Sequence, residues 1–329
     1  MAQSFHAVEY QRRDGAAVIT MSNPPVNGLS HAVRLGLVEA FAYAIDDPQV
    51  AGIVLTGSGK GFSAGGDIRE LGTPAATAAP ALSLQVHPVI ESCPKPTVAA
   101  LHGIAIGGGL ETALVCHYRI AAAHTRVALP EITLGLIPLS GTQRLPRVLG
   151  LREAIDFILE SRVMFAREFP SDTLFDEVLD AEPEIVVTRA VEHALAIARD
   201  LPKARLRASQ HPASLPATAL AQAAAPAATL PLVRHRLPST SDETAAILTH
   251  AGRRAAEIGP VAVAALQAIT AGLEAPDFDT GMQLARAIYD ALSASDEVRR
   301  QRDRFLGERA GGSAVGGSRG TSPTGEAKR

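Results

Sequence analysis

The chain has 329 residues, with 31 basic and 34 acidic side chains and a net charge of −3, so it lacks the electrostatic footprint that nucleic acid or an anionic membrane surface selects. Hydrophobic residues make up 47% of it, ample for one sizeable core plus an appendage, and no run of roughly 18 apolar residues is present to cross a bilayer. Cys93 and Cys116, the only cysteines, exclude a disulfide framework as the design and read as small core residues in a reducing compartment.

Residues Met1 to Gly15 are polar and carry Glu9, Arg12, Arg13 and Asp14, without the apolar stretch of a signal peptide. The chain ends in Ala327-Lys328-Arg329, which lacks the terminal Leu of the peroxisomal address, so the expected location is cytoplasmic. Residues Ala16 to Met21 are apolar and β-branched and stop at Asn23-Pro24-Pro25, a strand entering a turn. Ser30 is placed to cap a helix whose apolar face is Val33, Leu37, Phe41, Ala44 and Ile45, ending near Asp47-Pro48. Gly52 to Thr56 reads as a buried strand, Gly57 to Gly66 as a loop, and Asp67 as a helix start. A helix is expected from Ala81 to Ser92, stopped by Pro94 and Pro96, followed by a strand from Thr97 to Leu101. Ile104 to Glu111 then reads as strand, glycine turn and helix N-terminus, with further short strands at Arg119 to Ala123 and Val127 to Leu129. This alternation predicts an α/β layered fold with much parallel pairing.

The composition shifts after residue 200. Between Leu201 and Leu230 the chain is half Ala plus Pro, and no aromatic residue occurs from Asp176 to Asp277, so residues 201–242 read as a linker. Amphipathic helices are expected from Ser241 to Leu273 and from Asp279 to Leu306, and a disordered Gly/Ser/charged tail after that. The division expected is therefore a catalytic domain over 1–200, the linker, a helical segment over 243–309 and a tail over 310–329.

Three features are candidates for chemistry. Gly107-Gly108-Gly109, between a strand and a helix, exposes backbone N–H groups where the helix dipole adds positive potential, which suits an anion; its order does not fit a dinucleotide fingerprint. The run Gly57 to Asp67 fails as a phosphate loop, because Gly61 follows Lys60 where Ser or Thr belongs, but it can point the Gly66 N–H at a ligand. Glu111, in the first turn of its helix, and Glu131, set between Pro130 and Ile132, could form an acid/base pair with pKa values pushed apart.

The strings Asn23-Pro24-Pro25-Val26-Asn27, Phe62-Ser63-Ala64-Gly65-Gly66-Asp67-Ile68, His102-Gly103 through Gly107-Gly108-Gly109-Leu110-Glu111, Leu129-Pro130-Glu131 with Leu134-Gly135, and Gly141-Thr142-Gln143-Arg144-Leu145-Pro146-Arg147 together resemble the crotonase (enoyl-CoA hydratase/isomerase) superfamily in order and spacing. The segment from Gly259-Pro260 to Arg304-Phe305-Leu306 further resembles the part that follows the hydratase region of fused peroxisomal-type β-oxidation enzymes, without a dehydrogenase domain. The resemblance implies a crotonase-like ββα spiral core with a C-terminal helical extension. It implies an oxyanion hole from the N–H groups of Gly66 and Gly108, and Glu111 and Glu131 holding the water that adds to an enoyl thioester. It further implies contacts to coenzyme A at Val26 and Arg69, although Arg69 also reads as a solvated partner of Glu70. No cofactor is implied beyond coenzyme A as part of the acyl-CoA substrate, and no metal. The assembly implied is a homotrimer or hexamer, or a monomer if the helical segment covers the trimer surface in cis. The expected activity is hydration of trans-2-enoyl-CoA, with Δ3,Δ2-enoyl-CoA isomerisation by Glu131 alone, or non-catalytic acyl-CoA binding, as alternatives. Two departures bear on it: the water-site loop ending at Gly141 is Pro138-Leu139-Ser140-Gly141, one residue shorter and bulkier than the family pattern, and Thr173 in Thr173-Leu174-Phe175-Asp176 stands where the family has Gly, a residue that tolerates positive φ.

Overall fold

The β-branched runs form strands in the computed structural model, which describes residues 2–70, 72–201, 230–238, 243–296, 298 and 300. In chain order the strands are β1 (Ala2–Phe5), β2 (Val8–Arg13), β3 (Ala16–Met21), β4 (Gly52–Gly57), β5 (Thr97–Leu101), β6 (Ile104–Ile106), β7 (Tyr118–Ala122), β8 (Arg126–Ala128), β9 (Met164–Phe165) and β10 (Glu177–Leu179). Seven of them make one sheet in the order β1-β2-β3-β4-β5-β7-β10. The first three are antiparallel and the rest, from β3 onward, pair in parallel. Every residue of β4 and β5 is buried, which is why both read as unbroken apolar runs. Strands β6, β8 and β9 form a second, three-stranded sheet.

Helices cover the large sheet on both faces. On one side α1 (His31–Asp46), capped by Ser30 as expected, lays Val33, Leu37 and Phe41 against Ile19, Leu55 and Leu101. No helix starts at Asp67, because its carboxylate is engaged by Arg69 in a short turn. Downstream come α2 (Pro74–Thr77), a π-helical turn at Leu82–Val86, and α3 (His87–Glu91). The helix expected over Ala81 to Ser92 is thus split, with Pro88 opening its regular half. Next are α4 (Gly108–Leu114), α5 (Gly141–Arg144), α6 (Pro146–Leu149), α7 (Leu151–Leu159) and α8 (Pro183–Asp200). On the second face α8 packs Val186, Ala190 and Ala194 against Val18, Val54 and Val98.

Among the described residues the C-terminal region contributes three helices, α9 (Thr244–Ile258), α10 (Pro260–Glu274) and α11 (Phe278–Ser293). The single helix expected from Ser241 to Leu273 breaks at Gly259, which has φ +132°, and Pro260, which cannot donate into the preceding turn. The first hairpin and the short strands β9 and β10 were not anticipated. Most of the expected linker (202–229 and 239–242) and all of the expected tail (310–329) lie outside the described residues, but Leu230 to Leu237 are described and Val233 is buried. Among the described residues, no helix is long and apolar enough to cross a membrane.

Cys93 and Cys116 are free and buried, as the sequence suggested, and burial pushes both thiols up to about 12. At Thr173 the expected strain is absent, because the positive φ falls one residue earlier, on Asp172 (φ +60°). The segment that follows is held by fully buried Arg119, which donates to the Leu174 carbonyl (2.7 Å), the Cys116 carbonyl (3.1 Å) and the Asp176 carboxylate (3.2 Å). Replacing Arg119 with Met strands these acceptors in the interior and is expected to cost about 3 kcal/mol, seen as a lower urea midpoint at unchanged slope.

Candidate active site

Two glycine turns meet at one end of the small sheet. Ser63 pairs with β6 through Ser63 N–H to Ile104 O (3.1 Å) and Ile106 N–H to Ser63 O (2.9 Å). Its hydroxyl donates to Asn27 O (2.7 Å) and accepts from Gly65 N–H (3.1 Å). Gly65 O accepts from Leu29 N–H, and Val26 O from Ala64 N–H. This lashing presses Gly65 (φ +86°) onto the turn at Gly107 (φ +56°): a Cβ on Gly65 would lie 2.6 Å from Ile106 O and 3.0 Å from Gly108 N. Only glycine tolerates both the backbone angle and the approach. The two N–H groups brought side by side are those of Gly66 and Gly108, a Cβ on Gly108 lying 3.7 Å from Gly66 N. Among the described residues neither donates to a protein acceptor, and Gly108 stands at the positive end of α4. The pair is suited to an oxyanion.

Both glutamates flank this turn. Glu111, in the first turn of α4, is buried, and its Oε1 accepts from Gly141 N–H at 2.8 Å. Burial raises its pKa, restrained by the Gly141 N–H and by the Arg144 guanidinium. Glu131 begins a 3-10 turn (Glu131–Leu134) closed by Gly135 at φ +75°. Its residue surface is partly exposed, yet Oε2 is buried and has no hydrogen-bond partner among the described residues. Burial first, and then the charge of Glu111, push its pKa well above the ordinary carboxylate value. Glycine at 107 makes the room, since a Cβ there would lie 2.8 Å from Glu131 Oε1. Two carboxyls therefore share one cleft in unlike surroundings, both pushed toward the neutral acid but Glu131 further, so that Glu111 is the one of the pair that ionises more readily.

The shortened 138–141 loop still delivers its amide. Ser140 is fully buried and its hydroxyl accepts from Arg144 Nη1 (2.6 Å), Leu139 is buried, and Gly141 faces Glu111. Arg144 is gripped by Glu91 through two 2.9 Å bonds and stacks on Phe278. Gln143 and Arg144 belong to one of the motifs, but their roles are not legible in the sequence, because their partners Ala268, Glu91 and Phe278 are remote in the chain. Val26 borders the oxyanion turn through Ala64. Arg69 does not pair with Glu70 as the structural reading expected. It bonds Asp67 (2.6 Å) and Asn23 (2.8 Å), while Glu70 accepts from His31 N–H and pairs with Arg34. A cavity of about 610 Å³ lies next to the loop, lined by Leu84, Leu139, Arg144, Arg234, Phe278 and Met282 among others.

A family model described as enoyl-CoA hydratase/isomerase matches residues 11–230. The peroxisomal bifunctional enzyme of Danio rerio is 43% identical over 192 residues, which are 58% of this chain and 26% of that protein; the matched part thus spans about a quarter of that relative's length. An enoyl-CoA hydratase/isomerase from Pseudoalteromonas atlantica T6c shares the fold with a TM-score of 0.61 at 20% identity, covering 92% of this chain and 97% of that one. A monofunctional enoyl-CoA isomerase from M. smegmatis aligns with a TM-score of 0.50 at 27% identity, covering 61% of this chain and 88% of that one. The cytoplasmic location expected from the termini is overturned by the relatives, which are named as peroxisomal or glyoxysomal enzymes. A terminal tripeptide is too short a signal to outweigh them.

The raised pKa of Glu131 has a consequence for stability. A carboxyl whose pKa is higher folded than unfolded costs nothing below its unfolded value and progressively more as pH rises above it. Glu131→Gln is therefore expected to match the wild type near pH 4 and to be the more stable protein at pH 7. The gap should grow by about 1.4 kcal/mol per pH unit until the native pKa is passed, measured by denaturant unfolding at a series of pH values.

Proposed function

The chain belongs to the enoyl-CoA hydratase/isomerase family, and on that premise we propose that it adds water across the double bond of a trans-2-enoyl-CoA to give the 3-hydroxyacyl-CoA. The observation that carries this reading is the unlike pair of carboxyls beside two free N–H groups. In the proposed step the thioester oxygen accepts from Gly66 and Gly108. Glu111, its carboxylate oriented by Gly141, removes a proton from water as the water oxygen bonds to C3. The electron pair of the double bond shifts toward the thioester oxygen to give an enolate, and as the carbonyl re-forms that pair returns to C2 and takes the proton of neutral Glu131. Each oxyanion donor contributes about 2.7 to 4 kcal/mol to such a transition state. Coenzyme A would lie along the loop at Val26, with its phosphates competing against Asp67 for the exposed guanidinium of Arg69. The relatives' names, which include fatty acid beta-oxidation, support degradation of fatty or related acyl thioesters as the setting.

Isomerisation is a second reading, favoured by the solved isomerase among the neighbours and by Glu131, whose free oxygen could shuttle a proton alone. The two readings separate in one experiment. Loss of enoyl-thioester absorbance is expected with the wild type, and Glu111→Gln and Glu131→Gln should each lower kcat by roughly 10²- to 10⁴-fold. If Glu111→Gln keeps full turnover of a 3-enoyl-CoA while hydration is absent in the wild type, the isomerase is the enzyme. No turnover of either substrate by a protein that still binds acyl-CoA would leave only a binding role.

A further inference from the structure

The short helix that carries Gly141 is held from behind by a side chain that never faces the cleft. Gln143 is fully buried and runs away from Glu111 into the crossing of α10 and α11. Its Nε2 donates to Ala268 O on α10 (2.7 Å) and to Thr142 Oγ1 (3.2 Å). Its Oε1 is buried and has no hydrogen-bond partner among the described residues. That oxygen occupies a notch made by two glycines, one from each helix. A methyl on Gly272 would overlap the oxygen outright, and one on Gly281 would stand 2.7 Å from it and 3.2 Å from the Gly272 Cα. Leaving an amide oxygen unsatisfied in an interior is costly, and a hydrophobic side chain would fill the same notch without that cost. What the amide supplies is the directional bond to Ala268, which fixes the side chain along its length.

We propose that Gln143 is a positioning residue: keyed into the Gly272–Gly281 notch, it sets α5 so that the Gly141 N–H meets the Glu111 carboxylate, making the C-terminal helices part of the catalytic apparatus. The neighbouring residue on α5, Arg144, is anchored on the opposite side to Glu91 of α3, so α5 is pinned from two directions. The charged and titratable groups that act on Glu111 are Arg144 from α5, Glu131 from its own turn and Tyr289 from α11. With the Gly141 N–H displaced, the Glu111 anion loses the strongest of its favourable partners and keeps Arg144 and the Ser140 N–H, so the carboxyl titrates higher.

The proposal rests on the hydratase reading only for its kinetic arm. Wild type, Gly272→Ala and the milder Gln143→Ala would be compared by carbon NMR titration of the Glu111 carboxyl, by hydration kinetics and by thermal unfolding. Displacing the key should move the Glu111 titration to higher pH in both variants. It should also lower kcat by roughly ten- to a hundredfold with KM within about twofold, since the amide being aimed does not contact coenzyme A. In Gln143→Ala/Gly272→Ala the added methyl meets no amide, so the double variant should recover to the level of Gln143→Ala rather than show the sum of both losses. If the variants merely melt earlier while the titration and kcat of the folded protein stay at wild-type values, Gln143 is only packing and the proposal fails. If the wild type hydrates nothing but the Glu111 titration shifts as described, the hydratase reading falls and the positioning role stands.

Discussion

Two stretches of main chain, Gly65-Gly66 and Gly107-Gly108, meet so closely that Gly65 has no room for a side chain between them, and the cleft is organised around that approach. Neither turn could hold it unaided. The first is tied to β6 through Ser63 and to the 26–29 loop through Asn27 and Leu29; the second follows β6 and opens α4, with Gly107 N–H donating to Ala128 O of β8. A sheet of only three short strands therefore aligns two amides whose hydrogen bonds are not spent on the protein. The larger sheet, with helices on both faces, supplies the rigid body from which these loops project.

The same turn decides the state of the carboxyls. Because Gly107 has no side chain, Glu131 can come in over it, and because nothing else reaches its Oε2, the proton is the cheapest partner available to it. Glu111 is buried too but receives the Gly141 amide. One missing and one present hydrogen bond thus separate two residues of identical chemistry. Stability is given up for that difference, as expected where a site keeps a group poised rather than satisfied.

Much of this was legible in the sequence, and the limits were physical. Strands β3 to β5 and helix α1 announced themselves by unbroken apolar runs and by the Ser30 cap, since burial on both sheet faces leaves little freedom in composition. The glycine turns and both glutamates could be located because local spacing specifies them. The first hairpin was not, its strand β2 carrying Glu9, Arg12 and Arg13 on partly solvated positions. Likewise the break at Gly259-Pro260 was hidden by a helical periodicity that resumes directly after it. Arg69 was paired with the wrong acid because sequence adjacency favours Glu70, whereas the turn folds its guanidinium back on Asp67 and Asn23. The roles of Gln143 and Arg144 were beyond reach, since each depends on residues more than fifty positions away.

Arg144 shows how such remote contacts tune the cleft. A lone buried guanidinium beside Glu111 would hold that carboxyl strongly ionised and make it a poor base. Here the charge is divided. Glu91 takes Arg144 in a two-point grip and also meets Arg234 at 3.3 Å, which in turn reaches Asp279 at 2.6 Å. The alternating chain of acids and bases leaves Arg144 with only part of its field to spend on Glu111, so burial still wins and the pKa of Glu111 stays raised. Phe278 lies against the guanidinium groups of Arg144, Arg147 and Arg234 and so covers the inner, buried end of the chain, while Asp279 at its outer end stays in solvent. Lysine at position 144 would carry the same charge but could neither grip both oxygens of Glu91 nor reach Ser140 at the same time. The identity of this one cation, rather than its sign, is what lets a buried glutamate remain both ionisable and basic.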